Sequence, residues 1–285
     1  MIRLSQIVGV LASAYIITGD DNYVSHAFAH AKAWFVDTAT IMNPSLLYAQ
    51  AIQGRATGRG IGIIDTIHLI EVAQGLLVMQ KSNIVDQKIL LAIKNWFSKY
   101  LVWLTSHQYG IDEMNAKNNH GTCWVMQVAV FARYTGRADL IEICRRRVKE
   151  VLLPTQMAVD GSFPLELART KPYGYSLFNL DAMAMTCELL STSEDNLWTF
   201  ELPDGRGMRR ALAFMVPYIE DKRRWPHKPD VMYFDGWPIR HTSLLFGALA
   251  LKHPEYLTLW KRLNPDPRED EIIRNYIARQ PILWM

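Results

Sequence analysis

The sequence predicts an all-α fold built of helix hairpins, and three observations carry that prediction. Apolar residues recur three and four apart along most of the chain, as one face of a helix requires. Strict apolar–polar alternation, the mark of a half-buried strand, is nearly absent. A unit also repeats: Gln6 to Gly19 and Gln127 to Gly136 each carry a Tyr, close on Thr-Gly, and are followed by an acidic residue and a second amphipathic run. Glycine suits that helix stop because it enters the left-handed region without steric cost. A degenerate third copy runs from Leu244 to Tyr256, with Lys252-His253-Pro254-Glu255 in place of the Thr-Gly turn.

Between the hairpins the spacing predicts helices over Thr66 to Met79, Asp86 to Ser106, Leu140 to Leu153, Leu177 to Leu190, Gly207 to Glu220 and Asp270 to Arg279. Stacked hairpins without a sheet fit either a solenoid or a closed toroid, and periodicity does not choose between them. With 285 residues, 49% of them hydrophobic, the chain can bury a large core, and no composition break divides 1–285.

Charge excludes little but directs the search. Thirty-one Lys plus Arg against 28 Asp plus Glu leave a net charge of +3, too small and too dispersed for a nucleic-acid surface. The one basic run, Arg145-Arg146-Arg147, fits a solvated helix face. Cys123, Cys144 and Cys187 are spaced for neither a disulfide framework nor a zinc site, and no metal or other cofactor is expected. Ile7 to Ile17 is apolar but contains Gly9 and lacks a small-residue cleavage site, so it reads as a core helix and not as a signal peptide. No run reaches the roughly 18 apolar residues that span a bilayer, so no membrane partner is expected. Nothing in the sequence sets an oligomeric state.

Three long polar connections punctuate the helices. Met42 to Gly62 holds Gln50, Arg59 and several glycines, yet has neither the spacing nor the preceding strand of a phosphate loop. Asp160 to Tyr175 carries Glu166, Arg169, Tyr173 and Tyr175, and Pro226 to Thr242 carries Tyr233, Asp235, Trp237, Arg240 and His241. Loops of this length in a compact domain are more often functional than idle. Trp34, Trp96 and Trp103 fall on helical patterns and read as core.

The densest polar cluster is Asn118-Asn119-His120-Gly121-Thr122, just ahead of the apolar run from Cys123 to Phe131. By itself it reads equally as a helix cap, and a lone His is more often structural than catalytic. Together, however, Asn119, His120, Arg169 and Tyr175 are the group types that a β-elimination on a uronate needs. Amide and guanidinium donors neutralise a carboxylate on which charge builds. Imidazole serves as base near neutral pH, and a phenol delivers a proton to the departing oxygen.

The run Asn118 to Thr122 followed by Gln127, then Pro164 to Thr170, then Tyr175 to Leu180, resembles the alginate lyase superfamily, polysaccharide lyase families five and thirty-eight. Trp34-Phe35, Met42-Asn43-Pro44 and Gly58 to Gly62 bring the likeness closer to family thirty-eight, and the similarity runs from about Leu4 to Leu251. The resemblance implies a single incomplete α/α toroid with a cleft at its loop end, and cleavage of polymannuronate, glucuronan or a related acidic polysaccharide. It implies that Asn119, His120 and Arg169 neutralise the carboxylate, that His120 is the base for one C5 epimer, and that Tyr175 is the acid, or both acid and base for mannuronate and glucuronate. Gln50, Arg59, Asn118, Trp124, Glu166, Arg240 and His241 become expected substrate contacts. Relatives of this kind are exported and carry a further N-terminal segment, so a periplasmic or secreted enzyme is expected. A non-catalytic polyuronate-binding relative is a second reading. A glycoside hydrolase using two of Asp65, Glu71, Glu166 and Asp235 is a third, since it needs paired carboxylates.

Overall fold

The computed structural model describes residues 1–285, and its elements are helices joined by turns, with only isolated bridge pairs such as Ile52 with Ala56 outside them. No single helix is long and apolar enough to cross a membrane. The chain packs as two compact units: residues 1–115, 127–141 and 278–285 form one, and 116–126 with 142–277 the other.

In the first unit α1 (Ile2–Thr18) and α2 (Asp21–Phe35) make the opening hairpin. Gly19 ends α1 at φ 70°, its N–H bonded to the Tyr15 carbonyl, and Asp20 caps α2 by accepting from the Asn22 N–H. That is the predicted Thr-Gly-acid turn, with an N-cap bond of about 1 kcal/mol. α1 also packs on α3 (Leu69–Met79), and α2 on α4 (Gln87–Ser106). Phe35, Trp96, Phe97, Tyr100, Phe131 and Tyr134 form a run of tilted and edge-on ring contacts at centroid distances of 4.7–5.8 Å. Such pairs each add about 0.5–1.5 kcal/mol beyond burial. Trp96 belongs to this core as expected, its Nε1 donating to the Met42 carbonyl at 2.6 Å.

Gln127 is fully buried in this unit: its Oε1 accepts from Thr66 Oγ1 at 2.6 Å, and its Nε2 donates to the Ile63 carbonyl at 3.3 Å. The motif glutamine therefore anchors the turn Gly60–Thr66. A short helix the sequence did not reveal, α5 (Gln108–Met114), packs on the same turn.

α6 (Asn119–Thr135) begins in the second unit. α7 (Ala138–Arg147) continues through a π-turn over 148–152 into α8 (Leu153–Gln156). α9 (Pro164–Leu167) and α10 (Pro172–Leu190) follow. α10 is buried almost all round, which explains why its sequence shows no polar face; α9, α11 (Met208–Glu220) and α12 (Thr242–Leu251) pack on it. α12 pairs with α13 (Pro254–Arg262), and Lys252 takes the left-handed turn position at φ 58° that glycine holds in the first hairpin. α14 spans Asp270–Asn275, shorter than the predicted Asp270 to Arg279.

Candidate active site

The start of α6 is held by a buried glutamine from α8. Gln156 Nε2 donates to the Asn118 carbonyl at 2.9 Å, while its Oε1 accepts from Thr122 Oγ1 at 2.9 Å and from Asn179 Nδ2 at 3.1 Å. Asn118 Oδ1 accepts from the His120 N–H at 3.3 Å, so this side chain caps the helix, as the plainer sequence reading held. Gly121 is required here by space: a Cβ would lie 2.2 Å from the Ala116 carbonyl oxygen. His120, next to it, is half-buried.

Asn119 is tied to Glu166 on α9 twice. Its backbone N–H donates to Oε1 at 2.7 Å and its Nδ2 to Oε2 at 2.9 Å. Burial pushes the Glu166 carboxyl up from its ordinary range, opposed by the Asn119 N–H, the charges of Arg169 and His120, and the Asn119 amide. Asn119 Oδ1 is buried with no protein partner, and its Nδ2 has a second hydrogen. The amide is thus oriented by Glu166 without being used up.

Arg169 lies 3.8 Å from Glu166 Oε2, with its guanidinium 4.1 Å from the centroid of the Tyr175 ring. Tyr175 sits in the first turn of α10, whose leading N–H groups are capped by Asp230: Tyr173 N donates to Oδ1 at 2.8 Å and Gly174 N to Oδ2 at 2.9 Å. Val231 N donates to the Thr170 carbonyl at 3.1 Å, so the loop from Pro226 braces the turn that carries Arg169 and Tyr175. Glu166 therefore gathers Asn119, His120 and Arg169, and Arg169 joins Tyr175 to that group. Residues far apart in the chain converge within one unit.

Other expected contacts take different places. Trp124 is 1% exposed beneath the Arg147 guanidinium at 5.8 Å, so the expectation that it meets substrate is corrected: its ring belongs to the core. His241 is also 1% exposed; its Nδ1 is 2.7 Å from Asp181 Oδ2 and its Nε2 accepts from the Ile239 N–H at 3.4 Å. Both ring nitrogens are engaged, which corrects the expectation of a substrate contact and makes this histidine a post at the start of α12. Arg240 stacks on Trp260 at 4.7 Å and donates to the Lys261 carbonyl at 3.0 Å. Gln50 and Arg59 lie in the first unit, bonded to each other; Arg59 Nε donates to the Gln50 carbonyl at 2.9 Å, and Gln50 Nε2 to Asp65 Oδ2 at 3.1 Å.

Of the carboxylates considered for hydrolysis, Glu71 accepts the backbone N–H groups of Arg279 and Gln280, Glu166 is bound to Asn119, and Asp235 is fully exposed. Gln156, Lys171, Asp230 and Glu271 are site-building residues that sequence reasoning missed. Their only sequence signal is a polar side chain in or beside an apolar run.

A family model described as alginate lyase matches residues 1–225. The chain belongs to the alginate lyase family. An alginate lyase from Bacteroides ovatus superposes with a TM-score of 0.84 at 30% identity, over 99% of this chain and 73% of that one. Alginate lyase A1-III from Sphingomonas species A1 gives 0.64 at 15% identity, covering 87% and 66%, a likeness of fold alone. No curated protein matches the chain. The family member has the α/α toroid fold of these enzymes, is a polysaccharide lyase, and acts on an acidic polysaccharide. The family is one of lyases and not of hydrolases.

Proposed function

We propose that this lyase cleaves polymannuronate or glucuronan by β-elimination, with Tyr175 as the group that handles the proton. The observation that carries the proposal is the chain of contacts from the Asn119 amide through Glu166 and Arg169 to the Tyr175 ring. The half-buried His120 and Arg169 neutralise the substrate carboxylate, with the Asn119 amide, itself 1% exposed, oriented by Glu166 beside them, lowering the cost of removing the C5 proton. The C5–H electron pair becomes the C4=C5 double bond, the C4–O bond breaks, and the departing oxygen takes a proton from Tyr175. In mannuronate and glucuronate the C5 hydrogen and the C4 oxygen share a face, so Tyr175, entering as the phenolate, can take the C5 proton and pass that same proton to the C4 oxygen, ending as the phenolate again.

The test is a panel of polymannuronate, polyguluronate and glucuronan, followed by the ultraviolet absorbance of the new double bond. Absorbance rises with polymannuronate or glucuronan, and Tyr175→Phe slows the rise by at least about 100-fold. Absence of product from every polyuronate, or full turnover by Tyr175→Phe, overturns the assignment.

A further inference from the structure

Lys171 stands between Arg169 and Tyr175 in sequence, yet no motif singles it out. Its ammonium lies 5.1 Å from the centroid of the Tyr175 ring and 5.7 Å from that of Tyr233. It forms an ion pair with Glu271 on α14, the two side chains being 14% and 15% exposed. Glu271 also meets Arg274 at 3.2 Å. Desolvation raises the Glu271 carboxyl, but the Lys171 hydrogen bond and the charges of Arg274 and Lys171 outweigh it and hold it below its ordinary range. The acid therefore stays ionised and keeps the ammonium in place. Asp230, itself spent on the N–H groups of Tyr173 and Gly174, also faces Lys171, and the Arg169 guanidinium lies 4.1 Å from the centroid of the same Tyr175 ring. These residues line one small pocket together with Trp237.

A lysine is costly to hold in a half-buried position, since ordering its long side chain gives up rotamer entropy. A brace alone could be built with less. The position next to the phenol points to a second task. When Tyr175 gives its proton to the leaving oxygen, the O–H electron pair remains on the phenolate, and a nearby fixed cation stabilises that charge without reorganising.

We propose that Lys171, held by Glu271, is a positioning residue that acts through Tyr175 by stabilising the phenolate formed as the glycosidic oxygen leaves. Glu271 lies outside the residues 1–225 that the family model matches. The inference rests on the lyase reading above.

The experiment compares the wild type with Lys171→Arg, Lys171→Met and the double variant Lys171→Met/Glu271→Met on the polyuronate that the wild type cleaves. Lys171→Arg keeps kcat within about threefold, because the cation is preserved. Lys171→Met lowers kcat about 10- to 100-fold with KM changed less than about twofold, the loss expected for one close charge felt mainly in the transition state. The double variant removes both charges; it recovers the thermal midpoint but not kcat. A wild-type kcat in Lys171→Met, or a double variant that regains kcat along with the midpoint, makes Lys171 a brace only and overturns the proposal. Should Lys171→Met fail to fold, the double variant alone decides. A wild type that makes no unsaturated product would sink the lyase reading itself, a result distinct from either of these.

Discussion

Two glutamates, one in each unit, are buried to the same 1% exposure and put to opposite uses. Glu71 on α3 gives one oxygen to two backbone donors, the N–H groups of Arg279 at 3.0 Å and Gln280 at 2.6 Å, tying down the end of the chain. Glu166 divides its oxygens between the backbone and side chain of a single motif residue, Asn119, with Arg169 and His120 close enough to act on its charge. Burial raises both carboxyls, so a perturbed acid does not by itself mark an active site. What separates them is what each one holds. Glu71 holds two backbone N–H groups, whereas Glu166 holds an amide whose Oδ1 has no protein partner.

The largest effect that should break or sharpen this contrast lies at the end of the Glu166 contact chain. Tyr175→Phe removes the proton carrier and nothing that Glu166 holds, so kcat should fall about 10²- to 10⁴-fold with the thermal midpoint nearly unchanged. Steady-state assay and thermal unfolding of the same preparation check both halves. Next comes Glu166→Gln, which sets an amide N–H₂ against the Asn119 Nδ2 donor. Either one bond is lost, at about 1–3 kcal/mol, or Asn119 turns over and points its oxygen where a donor stood. Activity should drop about 10- to 100-fold with a lower thermal midpoint; a variant that is destabilised yet fully active would place Glu166 with Glu71.

The hairpins were legible because their stop signals are local. Gly19 and Gly136 take φ 70° and 78°, and the run that replaces the third Thr-Gly places Lys252 in the same region at 58°. α5 escaped notice since seven residues, Gln108 to Met114, are too few to show a period. The predicted helix over Asp270 to Arg279 ends at Asn275 because the N–H groups of Arg279 and Gln280 are bonded to Glu71, a preference set some 200 residues away. In the site, Asn119, His120, Arg169 and Tyr175 could be read in order from short motifs. Gln156, Asp230 and the Lys171–Glu271 pair could not, since each becomes informative only when a partner 38 to 100 positions distant is beside it.

Glu71 yields a stability effect with a definite sign. Its folded-state value is raised from 4.5 to about 7, first by desolvation, with the Gln280 N–H, the Arg279 charge and the Arg279 N–H opposing. An acid that binds its proton more tightly when folded contributes stability that is complete below about pH 4.5 and lost as pH rises through about 7. The loss is on the order of 3 kcal/mol. Glu71→Gln keeps an acceptor for both N–H groups and cannot ionise, so its thermal midpoint should stay flat between about pH 5 and about pH 8 while the wild type declines. Specific activity of the folded enzyme should not change, and a loss of activity at unchanged stability would erase the distinction from Glu166.

The smallest expected effect concerns Trp124, which stands two residues after a motif threonine and whose place in the sequence promised a sugar contact. Helix geometry decides otherwise. Thr122 turns toward Gln156, while Trp124, two positions on and so about 200° around the helix axis, is carried to another face, beneath Arg147. Trp124→Phe keeps an aromatic ring there and loses part of the buried area and the better cation–π partner, at about 1 kcal/mol. Both kcat and KM should remain within about twofold of wild type while the thermal midpoint falls by a few degrees. A selective rise in KM without that fall would mean that the indole reaches substrate after all, and that the face of α6 which meets the sugar is wider than the one Glu166 organises.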